Sequence, residues 1–250
     1  MPEYILLALV GFLAGAMNAA AGGGTFVSVP ALIAAGVPSV SANMTSTIAL
    51  CPGAFTSAYT FRKDFRAFGD ASPLTLLLLS IAGGAAGALL LILTPGSAFD
   101  GLIPWLLLTG SIAFAFGRRI GEFLRARMTL GKTSLVVVQF MRGVYGGSFG
   151  GAVGLMMLAA WTIFGARDLV AMSAVRILVV ACANATAILF FLAAGVIYWP
   201  QCFVMMAAGV AGGHFGARIA QKIPVHSLRA GISCLNFIIT AIFFWKTFLG

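Results

Sequence analysis

Two arginines stand where arginine is costly. Arg142 lies inside the apolar run 133–165 and Arg176 inside the run 169–195. A cation at membrane depth costs at least a few kcal/mol, so it normally faces a protein interior or a water-filled cavity. No acidic residue shares that depth: Glu3, Asp64, Asp70, Asp100, Glu122 and Asp168 all fall at segment ends or in connections. Counted from Lys132 and Asp168, ten and eight residues place the two guanidinium groups ~15 Å and ~12 Å in from one edge. Buried guanidinium groups without carboxylate partners want an external anion. The planar fork of arginine suits the oxygens of a small oxyanion such as a carboxylate. The competing role is structural, with each arginine bonding carbonyls freed at interrupted helices.

The backbone offers a second means of holding an anion. Residues 19–32 read AAAGGGTFVSVPAL, with Gly22, Gly23 and Gly24 in succession. A helix starting at Thr25 presents unbonded N–H groups and the positive end of its dipole. Amides aimed at an anion need glycine for close approach. The stretch GVYGGSFGGAVG, 143–154, can do the same from the other half of the chain. Packing competes here too: Gly143, Gly147 and Gly151 recur every four residues, as do Gly146, Gly150 and Gly154. Such stripes let helices approach closely, and packing is the favoured reading for them, whereas three glycines in a row exceed what packing asks. Polar side chains gather at the same places: Asn18 precedes the first break, and Asn43, Thr45, Ser46 and Thr47 open the run 39–61. The candidate substrate-binding set is therefore Arg142, Arg176, Gly22, Gly23, Gly24, Thr25, Asn18, Asn43 and Thr47. Gly147, Gly150, Gly151, Tyr145, Gln139 and Asn184 are the supporting and hairpin positions, with Asn184 two turns beyond Arg176 on one face.

Other chemistry is poorly represented. His226 lies in a basic connection, and His214, near the end of the run 200–217, reads as a buried structural histidine. Without an intramembrane Asp or Glu, coupling through a carboxylate proton relay is not expected. The sequence has no HExxH, no aspartate pair at membrane depth and no Ser/His arrangement, so an enzyme is not expected and no metal or cofactor is implied. Cys51, Cys182, Cys202 and Cys234 all sit in apolar segments without paired spacing and read as small buried residues.

The elements that position these residues follow from composition. Of 250 residues, 61% are hydrophobic and 8% charged, against about 25% charged in a soluble domain. So few charges cannot make a water-soluble surface, and the alternation of an outer-membrane barrel is missing. The chain reads as an all-α polytopic membrane protein. The N-terminal run carries Glu3 and no basic flank, so it is not read as a signal peptide. The net charge of +9 is not a nucleic-acid signal. Arg62, Lys63, Arg66, Arg118, Arg119, Arg125, Arg127, Lys132, Arg167, Arg218, Lys222 and Arg229 fall in short connections between apolar runs, which is a topology signal.

Placing those cations in the cytoplasm fixes the crossings. The run 24–35 is ~18 Å long as a helix and the run 133–165 is ~50 Å, one too short and one too long for a ~30 Å core. Parity is met if 4–35 and 133–165 are hairpins that enter and leave on one face. The first repeat is then 1–117, with hairpin 4–35 and helices 39–61, 72–94 and 101–117. A basic linker, 118–132, leads to the second repeat, 133–250, with hairpin 133–165 and helices 169–195, 200–217 and 228–248. Both termini fall outside the cytoplasm. Gly11, Gly15 and Gly22 match Gly143, Gly147 and Gly154 at an offset of 132, and after a gap Thr47 is the counterpart of Arg176. Three full crossings per half make the repeats inverted, an arrangement that in transporters puts the substrate near the midplane.

GFLAG (11–15), GGGTFVSVPAL (22–32) and GVP (36–38) together resemble the opening signature of the sulfite exporter TauE/SafE family, the toluene sulfonate uptake permease group. The resemblance spans essentially the whole chain. It implies an inner-membrane carrier of sulfite, organosulfonates or related sulfur compounds working by alternating access, with a small anion and the bilayer as partners and a homodimer possible. The chain departs from the family pattern at Asn18-Ala-Ala-Ala and at Gly154-Leu155-Met156, where the second triplet is expected. A carrier or channel for another small anion, such as a carboxylate, and a non-transporting membrane scaffold are the alternatives.

Overall fold

The computed structural model describes residues 2–20, 22–60, 62–67, 72–127, 132–151, 153–164, 168–220 and 225–249. These residues form ten α-helices: α1 Pro2–Ala20, α2 Thr25–Ala34, α3 Ser39–Thr60, α4 Pro73–Leu93, α5 Gly96–Arg127, α6 Lys132–Ser148, α7 Val153–Ile163, α8 Leu169–Ala194, α9 Trp199–Ala220 and α10 Val225–Phe248. A 3-10 turn, Arg62–Asp64, follows α3. Each run expected to double back is two helices: α1 with α2, and α6 with α7. Each pair has a long arm of 19 or 17 residues and a short arm of 10 or 11.

Local chemistry sets the ends. Gly36 and Gly195 take positive φ after α2 and α8, a conformation that costs a residue with a Cβ ~1–2 kcal/mol. Asp168 caps α8, its carboxylate accepting the amide of Ala171 at 3.0 Å. One boundary departs from expectation. The helix expected at 101–117 runs from Gly96 to Arg127, so much of the expected linker is helical. The charges in GRRIGEFLRAR end the apolar run, but Arg, Glu and Leu are good helix formers, so they do not end the helix. Residues 128–131 and Arg167 lie outside the described residues.

Four helical stretches among the described residues are long and apolar enough to cross a bilayer: Pro73–Leu93, Gly96–Gly117, Ala171–Ala194 and Ala230–Phe248. α3 has 22 residues but carries Ser41, Asn43, Thr45, Ser46 and Thr47, and all of these but Thr47 are buried within the protein. The outer surface is apolar, with Leu9, Leu78, Leu93, Leu189 and Trp245 among its most exposed side chains, as a lipid-facing surface requires.

The packing partners come in corresponding pairs. α1 lies along α9 and α6 along α4; α4 packs on α8 and α3 on α9; α2 packs on α3 and α7 on α8; α3 meets α8 and α5 meets α10. The closest approaches correspond residue by residue. A Cβ on Gly11 would stand 2.8 Å from the carbonyl of Met205, and one on Gly143 would stand 3.1 Å from that of Ser80. Gly15 abuts the carbonyl of Gly209, and Gly147 that of Gly84. Gly212 abuts the carbonyl of Phe12, and Gly87 that of Val144. In each case the α1 and α6 residues are 132 apart and the α4 and α9 residues 125 apart. Gly147 is therefore a packing residue, as the four-residue glycine stripe suggests.

Candidate functional site

The two helix breaks meet across one side chain. Gly22 and Gly150 both adopt φ of 78°, and the amide of each donates to the carbonyl five residues back, Met17 at 3.0 Å and Tyr145 at 3.3 Å. The equivalent of Gly22 is thus Gly150, at an offset of 128, rather than Gly154. α1 runs one turn further past its shared glycine than α6 does, which is the length an offset of 132 overlooks. At that offset Gly150 and Gly151 align in sequence with Gly22 and Gly23, two glycines of the triplet.

Arg176 of α8 threads between these breaks. A Cβ on Gly22 would stand 3.3 Å from its Nη1, and one on Gly154 would stand 3.0 Å from Nη1 and 3.2 Å from Cδ. The residue is 8% exposed. Its Nε is buried without a hydrogen-bond partner. Among the described residues Arg66 forms an ion pair with Asp168, and none of the described carboxylates pairs with Arg176.

The guanidinium opens onto a cavity of about 60 Å³. At ~10–15 Å³ for each water-sized occupant, it has room for roughly four to six, the scale of a small oxyanion. Asn18, Gly22 and Thr25 line it from the first hairpin, Thr47 from α3, Gly150 and Gly154 from the second hairpin, and Arg176 and Asn184 from α8. Thr47 and Arg176, the expected counterparts, share this cavity. Ala19, Leu50, Gly53, Ala54, Ile177, Val180, Gly15 and Gly209 complete the wall among the described residues. Of these, Gly209 was legible as part of a glycine-rich run and Gly15 as a repeat match. The aliphatic residues carry no signal that separates them from lipid-facing neighbours.

The other candidates serve the hairpins. The amide of Gly24 donates to Oδ1 of Asn18 at 3.3 Å, and Gly24 lies against the carbonyl of Ala14. With Gly22 also bonded internally, two of the three triplet amides are engaged within the chain, a correction to the expectation that they stay free. Gly23 is buried against Phe114, Phe26 and Met17. Asn43 donates from Nδ2 to the carbonyl of Ser148 at 2.7 Å, tying α3 to the end of α6. Thr47 donates to the carbonyl of Asn43 at 2.9 Å. Gln139 donates to Ser80 Oγ at 2.7 Å and accepts from Trp161 Nε1 at 3.0 Å, joining α6, α4 and α7. Tyr145 donates to the carbonyl of Leu106 at 3.0 Å. Gly151 is held against the rings of Phe149 and Phe26.

Arg142 is not on the cavity wall. It sits on α6, six residues and ~9 Å of helix before the end at Ser148, with a buried Nη1 that has no hydrogen-bond partner. Counting along helices places both arginines at similar depth, but depth does not decide which face each occupies. Among the described residues no group of three His, Cys, Asp or Glu could hold a metal ion.

Known proteins align with almost the whole chain. The family profile described as Sulfite exporter TauE/SafE matches residues 7–243. A "Probable membrane transporter protein" of Haemophilus influenzae is 30% identical over 238 residues, covering 94% of this chain and 92% of that protein. The "Probable membrane transporter protein YfcA" of Escherichia coli K12 is 26% identical, covering 94% and 87%. "Probable membrane transporter protein ORF9" of a Sinorhizobium species is 28% identical, covering 86% and 82%. No solved structure matches the chain.

Proposed function

The chain belongs to the sulfite exporter TauE/SafE family of membrane proteins, and from that premise we propose that it is a secondary transporter of small sulfur-containing anions, sulfite or organosulfonates among them. One observation carries this reading: a buried arginine, without an acidic partner among the described residues, faces a small cavity between two helix breaks. An oxyanion in that cavity supplies the missing acceptors, and Asn18, Thr25, Thr47 and Asn184 add neutral polar groups around it.

The carrier works by moving one inverted repeat against the other. Support comes from the exchange of packing partners between α1–α5 and α6–α10 and from the matched glycine contacts. The clustering of cations in short connections supports a cytoplasmic side for Arg62, Lys63 and Arg66. Alternating access then exposes the cavity to each side in turn.

Uptake into proteoliposomes tests the assignment, with a panel of sulfite, thiosulfate, alkanesulfonates and short carboxylates. A sulfur oxyanion should be carried, and Arg176→Gln should reduce its uptake at least a hundredfold while the protein still purifies folded. Transport of carboxylates alone would replace the substrate class, and normal transport by Arg176→Gln would remove the site.

A further inference from the structure

We propose that the cavity is matched to a single negative charge, so that it takes monoanions and rejects dianions of the same shape. This rests on the anion-carrier reading above and narrows its substrate class. Among the described residues Arg176 is the one charged residue on the cavity wall.

Helix dipoles add little to that charge. At the first break the negative end of α1, at Ala20, adjoins the positive end of α2, at Thr25. At the second break the end of α6, at Ser148, adjoins the start of α7, at Val153. Each pair contributes roughly half a charge of either sign and cancels to first order. Their exposed groups are also engaged: Asn18 accepts the amide of Gly24 at 3.3 Å, and Asn43 donates to the carbonyl of Ser148 at 2.7 Å. The fixed charge facing the cavity is therefore close to +1.

A bound monoanion makes such a site neutral, whereas a dianion leaves one uncompensated negative charge at membrane depth. The attraction to Arg176 doubles with the second charge, but the cost of removing the ion from water rises with the square of its charge. The loaded carrier is neutral and the empty carrier positive, so the membrane potential acts on the return of the empty carrier. One-for-one exchange of monoanions is then insensitive to voltage.

Anion binding to the purified wild-type protein, measured by calorimetry, tests this with three probes. Methanesulfonate and sulfate are both tetrahedral but differ by one charge. Methylphosphonate passes from monoanion to dianion with rising pH while keeping its shape. Methanesulfonate should bind at least tenfold tighter than sulfate, and methylphosphonate should weaken about tenfold across its second ionisation while methanesulfonate stays constant. Sulfate binding equal to or tighter than methanesulfonate overturns the charge rule and leaves the anion site standing. If none of the three binds, and sulfite does not bind either, the carrier reading fails and the charge rule with it.

Discussion

A methyl group added at Gly154 would stand 3.0 Å from Nη1 and 3.2 Å from Cδ of Arg176, closer than nearly all real side-chain contacts. Gly154→Ala should therefore displace the guanidinium by several tenths of an ångström and weaken anion binding about tenfold. The helix itself gains propensity from the change, so melting should move little. A normal anion affinity in this variant would show that the position of Arg176 is not critical. Arg142 is the contrast. It lies off the cavity, so Arg142→Met should keep anion affinity within about twofold. Loss of binding comparable to that of Arg176→Gln would place Arg142 back at the site. Both arginines are legible in the sequence as cations in apolar runs. Their difference is one of helix face, and that depends on which neighbour each helix meets.

At the scale of helices, the hairpin arms are held by backbone contact. Gly15 abuts the carbonyl of Gly209 and Gly147 that of Gly84, and no side chain fits between them. Gly15→Ala and Gly147→Ala should each lower stability by more than the ~1–3 kcal/mol of ordinary overpacking, because backbone rather than a flexible side chain must yield. Gly101→Ala, within α5 and with open space around its Cβ site, should stabilise by up to ~1 kcal/mol. Thermal unfolding in detergent separates the two classes, and equal effects would sink the distinction. Most helix limits follow from apolar run length and from Gly36, Pro73 and Asp168. The limits of α5 do not, because GRRIGEFLRAR is polar and helical together, and hydropathy reports only the first property.

Across the whole molecule, the two halves touch through corresponding contacts at the ends of α3 and α8. Arg66, after α3, pairs with Asp168 at the head of α8 at 2.7 Å. The amide of Tyr198, after α8, donates to Thr45 Oγ1 near the head of α3 at 3.2 Å. Arg66 and Asp168 are 58% and 37% exposed, so their pair contributes under ~1 kcal/mol to stability, yet it ties the segment after α3 to the head of α8, the helix that carries Arg176. Arg66→Ala should leave the melting temperature nearly unchanged. It should also speed labelling of a Thr47→Cys cavity probe by an impermeant thiol reagent from the cytoplasmic side, in a background without the four native cysteines. Unchanged labelling would mean the pair does not restrain that face, and labelling from outside alone would reverse the topology. By itself, the sequence determined the helical membrane class, the two interrupted helices and the presence of cations inside apolar runs. Each follows from transfer energies and helix rise, which are properties of residues taken along the chain. Only the tertiary structure decided that Gly150 answers Gly22, that Asn18 and Asn43 tie the breaks, and that Arg176 rather than Arg142 faces the cavity. Those outcomes depend on the azimuth of each helix, which is set by glycine contacts between segments far apart in sequence.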